Sequence, residues 1–85
     1  MYLHLGQERM IRERDIVGIF DLDNTTVSKR TREYLAKADK AGRVTAVSDD
    51  LPKSFIVTAD GREEKIYLSQ LAPATLKKRS GLKKL

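Results

Sequence analysis

Helical periodicity long enough to build a layer occurs once in this chain. At 100° per residue, Val27, Thr31, Tyr34, Ala38 and Ala41 fall on one stripe, with Leu35 at its edge, and predict a helix over residues 27–41. Thr26 or Ser28 supplies an N-cap acceptor, and Gly42 stands where a helix ends in a left-handed residue. Around this helix the apolar residues come in short, β-compatible bursts at 2–5, 10–12, 15–20, 44–47, 54–58 and 65–69, the signature of strands. Asp60-Gly61 marks a turn, which Arg62 to Glu64 lengthen beyond a tight two-residue hairpin, and Asp49, Asp50 and Pro52 make a further loop. Pro73 opens a short C-terminal helix over 73–79 that Gly81 ends. The order βββαβββα gives an α+β fold: one small domain over 1–80, with a mainly antiparallel sheet and a basic tail over 81–85.

Eighty-five residues bury only a thin core, and the absence of cysteine removes disulfides, thiolate nucleophiles and the common structural zinc sites. Six strands and one long helix leave part of a sheet uncovered, so the fold is expected to assemble into a homo-oligomer. No apolar run reaches the ~20 residues of a membrane span. The N-terminal MYLHLGQERM lacks the order of a signal peptide, and the expected location is the cytoplasm.

The net charge of +5 is segregated. Residues 1–28 sum to −2, 29–43 to +4, 44–76 to −2 and 77–85 to +5. On the helical wheel Lys29, Arg32, Ala36, Lys40 and Arg43 lie opposite the apolar stripe. Lys29, Arg32, Lys40 and Arg43, with Lys53 and the C-terminal Lys77, Lys78 and Arg79, form the candidate DNA-binding set, its target the phosphate backbone of duplex DNA. Five aromatic residues, most at core-compatible positions, offer no stacking platform for single strands or RNA. Nor is there a second helix at helix-turn-helix spacing.

Catalysis finds little support. Phe20-Asp21-Leu22-Asp23-Asn24-Thr25-Thr26 resembles the DxDxT signature of haloacid-dehalogenase-type phosphotransferases, in which two carboxylates two residues apart serve as nucleophile and acid/base. That chemistry sits on a doubly wound parallel sheet needing several βαβ units of ~30 residues each. A chain with one long helix cannot build it, and the segment reads as a strand-to-helix turn rich in side-chain acceptors. The lone His4, read as a partly buried structural residue, cannot complete a metal site or activate a serine. The expectation is a non-enzymatic protein without metal, cofactor or small-molecule substrate.

Taken together, YLHLG, IVGIFDLDNTTVSKRTREYL, DLPKSFIVT, KIYLS and TLKKR resemble the RemA/RemB family of small bacterial extracellular-matrix regulators, and more closely its RemB branch. The resemblance runs from Tyr2 to about Arg79. It implies a cytoplasmic regulator of biofilm matrix genes. Its RemA members form ring-shaped oligomers that bind promoter DNA through surface arginines. In RemA-type members an arginine precedes the third strand and an Arg-Arg pair follows the fourth; here those positions hold Asp15, beside Arg14, and Leu51-Pro52, before Lys53. The expected function is therefore transcriptional regulation by an oligomer that binds duplex DNA through another surface. The alternative is an oligomeric scaffold that meets a protein partner.

Overall fold

The computed structural model describes residues 2–22 and 28–79. Its elements follow as β1 (Tyr2–Gly6), β2 (Arg9–Arg12), a 3₁₀ turn (Glu13–Asp15), β3 (Ile16–Asp21), α1 (Lys29–Lys40), β4 (Val44–Ala46), β5 (Ser54–Asp60), β6 (Glu63–Ser69) and α2 (Pro73–Arg79). The fold is α+β, with both helices and all six strands where the periodicity put them. Asp23, the Thr26 cap option, the Val27 start of the helix, Gly81 and the 81–85 tail lie outside the described residues.

β1 and β2 form an antiparallel hairpin, and the other four strands form a sheet in the order β3-β5-β6-β4. β3–β5 and β5–β6 are antiparallel, whereas β4 runs parallel to β6 from Val44↔Ile66 to Ala46↔Leu68. α1 accounts for the parallel pair: it carries the chain from the β3 edge across the sheet to the far edge, a connection that a tight turn cannot make.

Period-2 alternation in β5 and β6 then divides the core in two. Phe55, Val57 and Ile66 bury against α1 through Ala38, with Tyr34, Leu35, Val44 and Leu68 packed around them. Ile56 and Ile19 point to the opposite face, where the hairpin supplies Leu3, Leu5 and Ile11 and α2 supplies Leu76. Two buried serines tie that second layer down. Ser69 Oγ donates to the Leu5 carbonyl at 2.7 Å, and Ser54 Oγ donates to the Leu71 carbonyl at 2.8 Å. Removing either hydroxyl orphans a carbonyl at a cost of about 1–3 kcal/mol.

One turn differs from the sequence expectation. The β5–β6 hairpin is tight: Asp60 pairs with Glu63, so only Gly61 and Arg62 form the turn. Gly61 makes this possible with φ +64°, the positive first position of a type II′ turn. In the β1–β2 hairpin Gly6 pairs with Arg9, and the two turn residues, Gln7 and Glu8, take φ of 48° and 65° without being glycine. Left-handed backbone at such residues costs about 1 kcal/mol or more each. His4, expected to be partly buried, is exposed, because it lies on the face of β1 opposite Leu3 and Leu5.

Replacing Gln7-Glu8 with Asn-Gly supplies the residues that a turn with two positive φ angles favours. Relief of about 1 kcal/mol should raise the melting temperature by roughly 4–8 °C, read by circular dichroism. An unchanged or lower melting temperature would contradict the turn geometry.

Candidate nucleic-acid interface

α1 is capped at both ends by its own sequence. Thr31 N–H donates to Ser28 Oγ at 3.1 Å, which fixes the start. At the other end Gly42 N–H donates to Asp39 O at 3.0 Å and Arg43 N–H to Ala38 O at 2.9 Å. These two bonds, with φ +74° at Gly42, make a Schellman motif that ends the helix and places Arg43.

Between the caps the inward stripe holds Thr31, Tyr34, Leu35 and Ala38, and the outer face holds Lys29, Arg32, Ala36 and Lys40, all exposed. Glu33 interrupts this face, 4.0 Å from Lys29. Arg30 and Lys37, absent from the expected set, flank it about 80–100° from the buried axis on the side of Tyr34. The same wheel places them; they escape notice only when the face directly opposite the core is counted alone. Lys37 and Lys40 complement the negative end of the helix dipole, but Lys29, Arg30 and Arg32 crowd its positive end with no carboxylate in the first turn. Cations there cost the helix a few tenths of a kcal/mol or more each, which a bound anion would reverse.

Arg43 stands apart from this ridge. Its Nη1 lies 3.0 Å from Glu64 Oε1, which also accepts a 2.7 Å bond from the Tyr34 hydroxyl. Burial first, and then that bond to Glu64, hold the Tyr34 phenol above its ordinary pKa. The trio fastens α1 to the β6 strand while leaving part of the Arg43 guanidinium accessible.

Lys53 sits at one end of the sheet. Its N–H donates to Ser69 O at 2.8 Å, its carbonyl accepts from Leu22 N–H at 2.9 Å, and its side chain is exposed. Lys77, Lys78 and Arg79 form the exposed last turn of α2. α2 packs through Leu76 on the hairpin side of the sheet, and α1 packs through Ala38 on the other. The two basic segments therefore lie on opposite faces of one protomer. Among the described residues no group of three or more His, Cys, Asp or Glu side chains could hold a metal ion. No helix among them is long and apolar enough to cross a membrane.

Residues 2–80 match the family model for RemA-like proteins, described as extracellular matrix regulatory protein A-like. The chain belongs to the RemA-like family. It is also 40% identical over 80 residues to extracellular matrix regulatory protein B of Bacillus subtilis (strain 168), covering 94% of this chain and 90% of that protein. A RemB-like member of the RemA-like family is thus the identity of the chain, and its relatives are described as regulators.

In this RemA-like chain the two positions that the resemblance marks for arginine have other employment. Asp15 accepts from Arg12 Nε at 3.0 Å, and Arg12 Nη2 reaches Asp60 at 3.2 Å, so Asp15 belongs to an ion network at one end of the sheet. Its neighbour Arg14 points outward, with its Nε 4.0 Å from the same carboxylate. Leu51 is 85% exposed, beside Pro52.

The Tyr34 bond has a pH signature. A phenol whose pKa is raised in the folded state contributes stability below its unfolded pKa of about 10 and loses it as pH rises through the folded value. Tyr34→Phe should cost about 1 kcal/mol near neutrality, and the gap from wild type should narrow above pH ~10 in urea titrations. A gap independent of pH would contradict the assignment.

Proposed function

We propose that the protein is a non-enzymatic regulator of extracellular matrix genes that binds the phosphate backbone of duplex DNA as a homo-oligomer, with α1 as its principal contact. The observation that carries this reading is the first turn of α1, where Lys29, Arg30 and Arg32 stand together without a carboxylate. A fold selected for stability alone would place acids there. The exposed ridge from Lys29 to Lys40 runs for about 18 Å at 1.5 Å per residue, long enough to follow successive phosphates along one strand. Arg43 adds a partly exposed guanidinium at its end. Lys53 at one end of the sheet and the Lys77, Lys78, Arg79 turn of α2 lie away from this ridge and are not its principal contacts.

Self-association is supported by the uncovered side of β3. That strand is an edge of the sheet, and it leaves Val17 62% and Phe20 44% exposed, the latter stacked on Phe55 at 4.9 Å. Gly18 leaves room for this, since a Cβ there would come within 2.7 Å of the Phe20 ring. A protomer of this size gains phosphate contacts by repetition, and closed symmetric assembly also buries such an edge. A cytoplasmic location belongs to the same reading.

A second reading keeps the oligomer and exchanges DNA for a protein partner. The observations favouring it are Asp15 in its ion network and the apolar Leu51, both at positions where the resemblance implies DNA-contacting arginines.

Fluorescence anisotropy with a labelled duplex at rising salt separates the two. Lys29→Glu, Arg32→Glu and Lys40→Glu together should weaken binding and flatten the plot of log affinity against log salt by about 0.9 per lost contact. Absence of binding to any duplex at low salt would end the DNA reading and favour the protein partner. A monomer at micromolar concentration by light scattering would contradict both.

A further inference from the structure

Beyond the C-terminal end of α1 the surface opens into a groove of about 490 Å³, floored by β6 and walled by the Schellman turn on one side and β2 on the other. Its lining brings together four cations from four separate places in the chain: Arg9 of β2, Arg43 after α1, Arg62 of the β5–β6 turn and Lys65 of β6. Thr45 and Tyr67 complete the part of the wall that matters here.

Charge bookkeeping within this groove leaves two arginines uncommitted. Glu64 is occupied by Arg43 and the Tyr34 hydroxyl, and Glu63 stands 3.9 Å from Lys65. Arg9 and Arg62 form no ion pair with any described residue. Arg9 instead lies over the Tyr67 ring, 5.8 Å from its centroid, which orients the guanidinium at the groove wall. Because that guanidinium covers Tyr67, the ring is not free to stack on a base, and the groove suits an anion rather than an aromatic ligand. The tight turn places Arg62 in the same lining, two residues after Asp60 closes the ladder.

We propose that this groove is a second phosphate-contact site for duplex DNA, with Arg9 and Arg62 as its new contact residues, continuous with the α1 ridge through Lys40 and Arg43. The inference rests on the DNA-binding reading of α1 and states where the bound backbone goes next. It leaves α1 at its C-terminal end and enters the groove, which reaches Arg9 of the hairpin layer, rather than running on to the last turn of α2. The continuity is covalent as well as spatial: Lys40 ends the helix, Ala41 and Gly42 line the groove, and Arg43 is held inside it by Glu64.

The test is the salt dependence of duplex binding by wild type and three variants: Arg9→Gln with Arg62→Gln, the α1 triple charge reversal, and Lys78→Gln with Arg79→Gln. Glutamine removes the charge while leaving a polar side chain at each position, and melting temperatures within a few degrees of wild type certify the fold. The groove pair should reduce the salt slope by about 1.8, from two contacts at about 0.9 each, while the α2 pair leaves it unchanged. If the groove pair leaves the slope intact while the α1 variant lowers it, the groove is overturned and the α1 reading stands. If the α2 pair lowers the slope and the groove pair does not, the path of the backbone is reversed. Wild type that binds no duplex at low salt overturns both readings together.

Discussion

Strand β5 must bury Phe55 and Val57 on one face of the sheet and Ile56 on the other, and the rest of the architecture answers that demand. In a chain of 85 residues no single helix covers two faces. α1 closes one side, and the β1–β2 hairpin with α2 closes the other. The buried serines belong to the same solution. Ser54 and Ser69 tie the second layer to the carbonyls of Leu71 and Leu5. Two-faced burial also sets where charge can go, because it puts a hydrophobic sheet between the two helices that carry the basic residues.

The strands and helices were legible in the sequence because alternation and the 3.6-residue period are local properties. Ser28, Gly42 and Pro73 punctuate the helices where capping chemistry needs them. What required the third dimension is equally specific. The β4–β6 pair is parallel, which no local pattern announces. Gln7 and Glu8 adopt a turn that their side chains disfavour, and Gly61 closes a hairpin whose acidic neighbours suggested a longer loop.

The candidate site divides in the same way. Lys29, Arg32 and Lys40 are exposed on α1 as the wheel implies, while Arg43 turns out to be shared with Glu64. The convergence of Arg9 and Arg62 was invisible for a physical reason. Each lies in a stretch whose own charge sums to −2, and only the fold shows that the groove's own carboxylates, Glu63 and Glu64, face Lys65 and Arg43 instead. Membership of the RemA-like family supplies the matrix-regulatory context. The departures at Asp15, Leu51 and Pro52 direct attention away from the positions marked by the resemblance and toward α1.

The central claim is that the α1 ridge and the groove beyond its C-terminal end, which reaches Arg9 of the hairpin, meet the nucleic acid while α2 does not. Hydrogen–deuterium exchange of the protein with and without a saturating duplex measures this most directly. Exchange should slow in peptides covering 29–43 and 61–67, with 73–79 unchanged. Protection centred on 73–79 and on the 48–53 loop, with α1 unaffected, would contradict it.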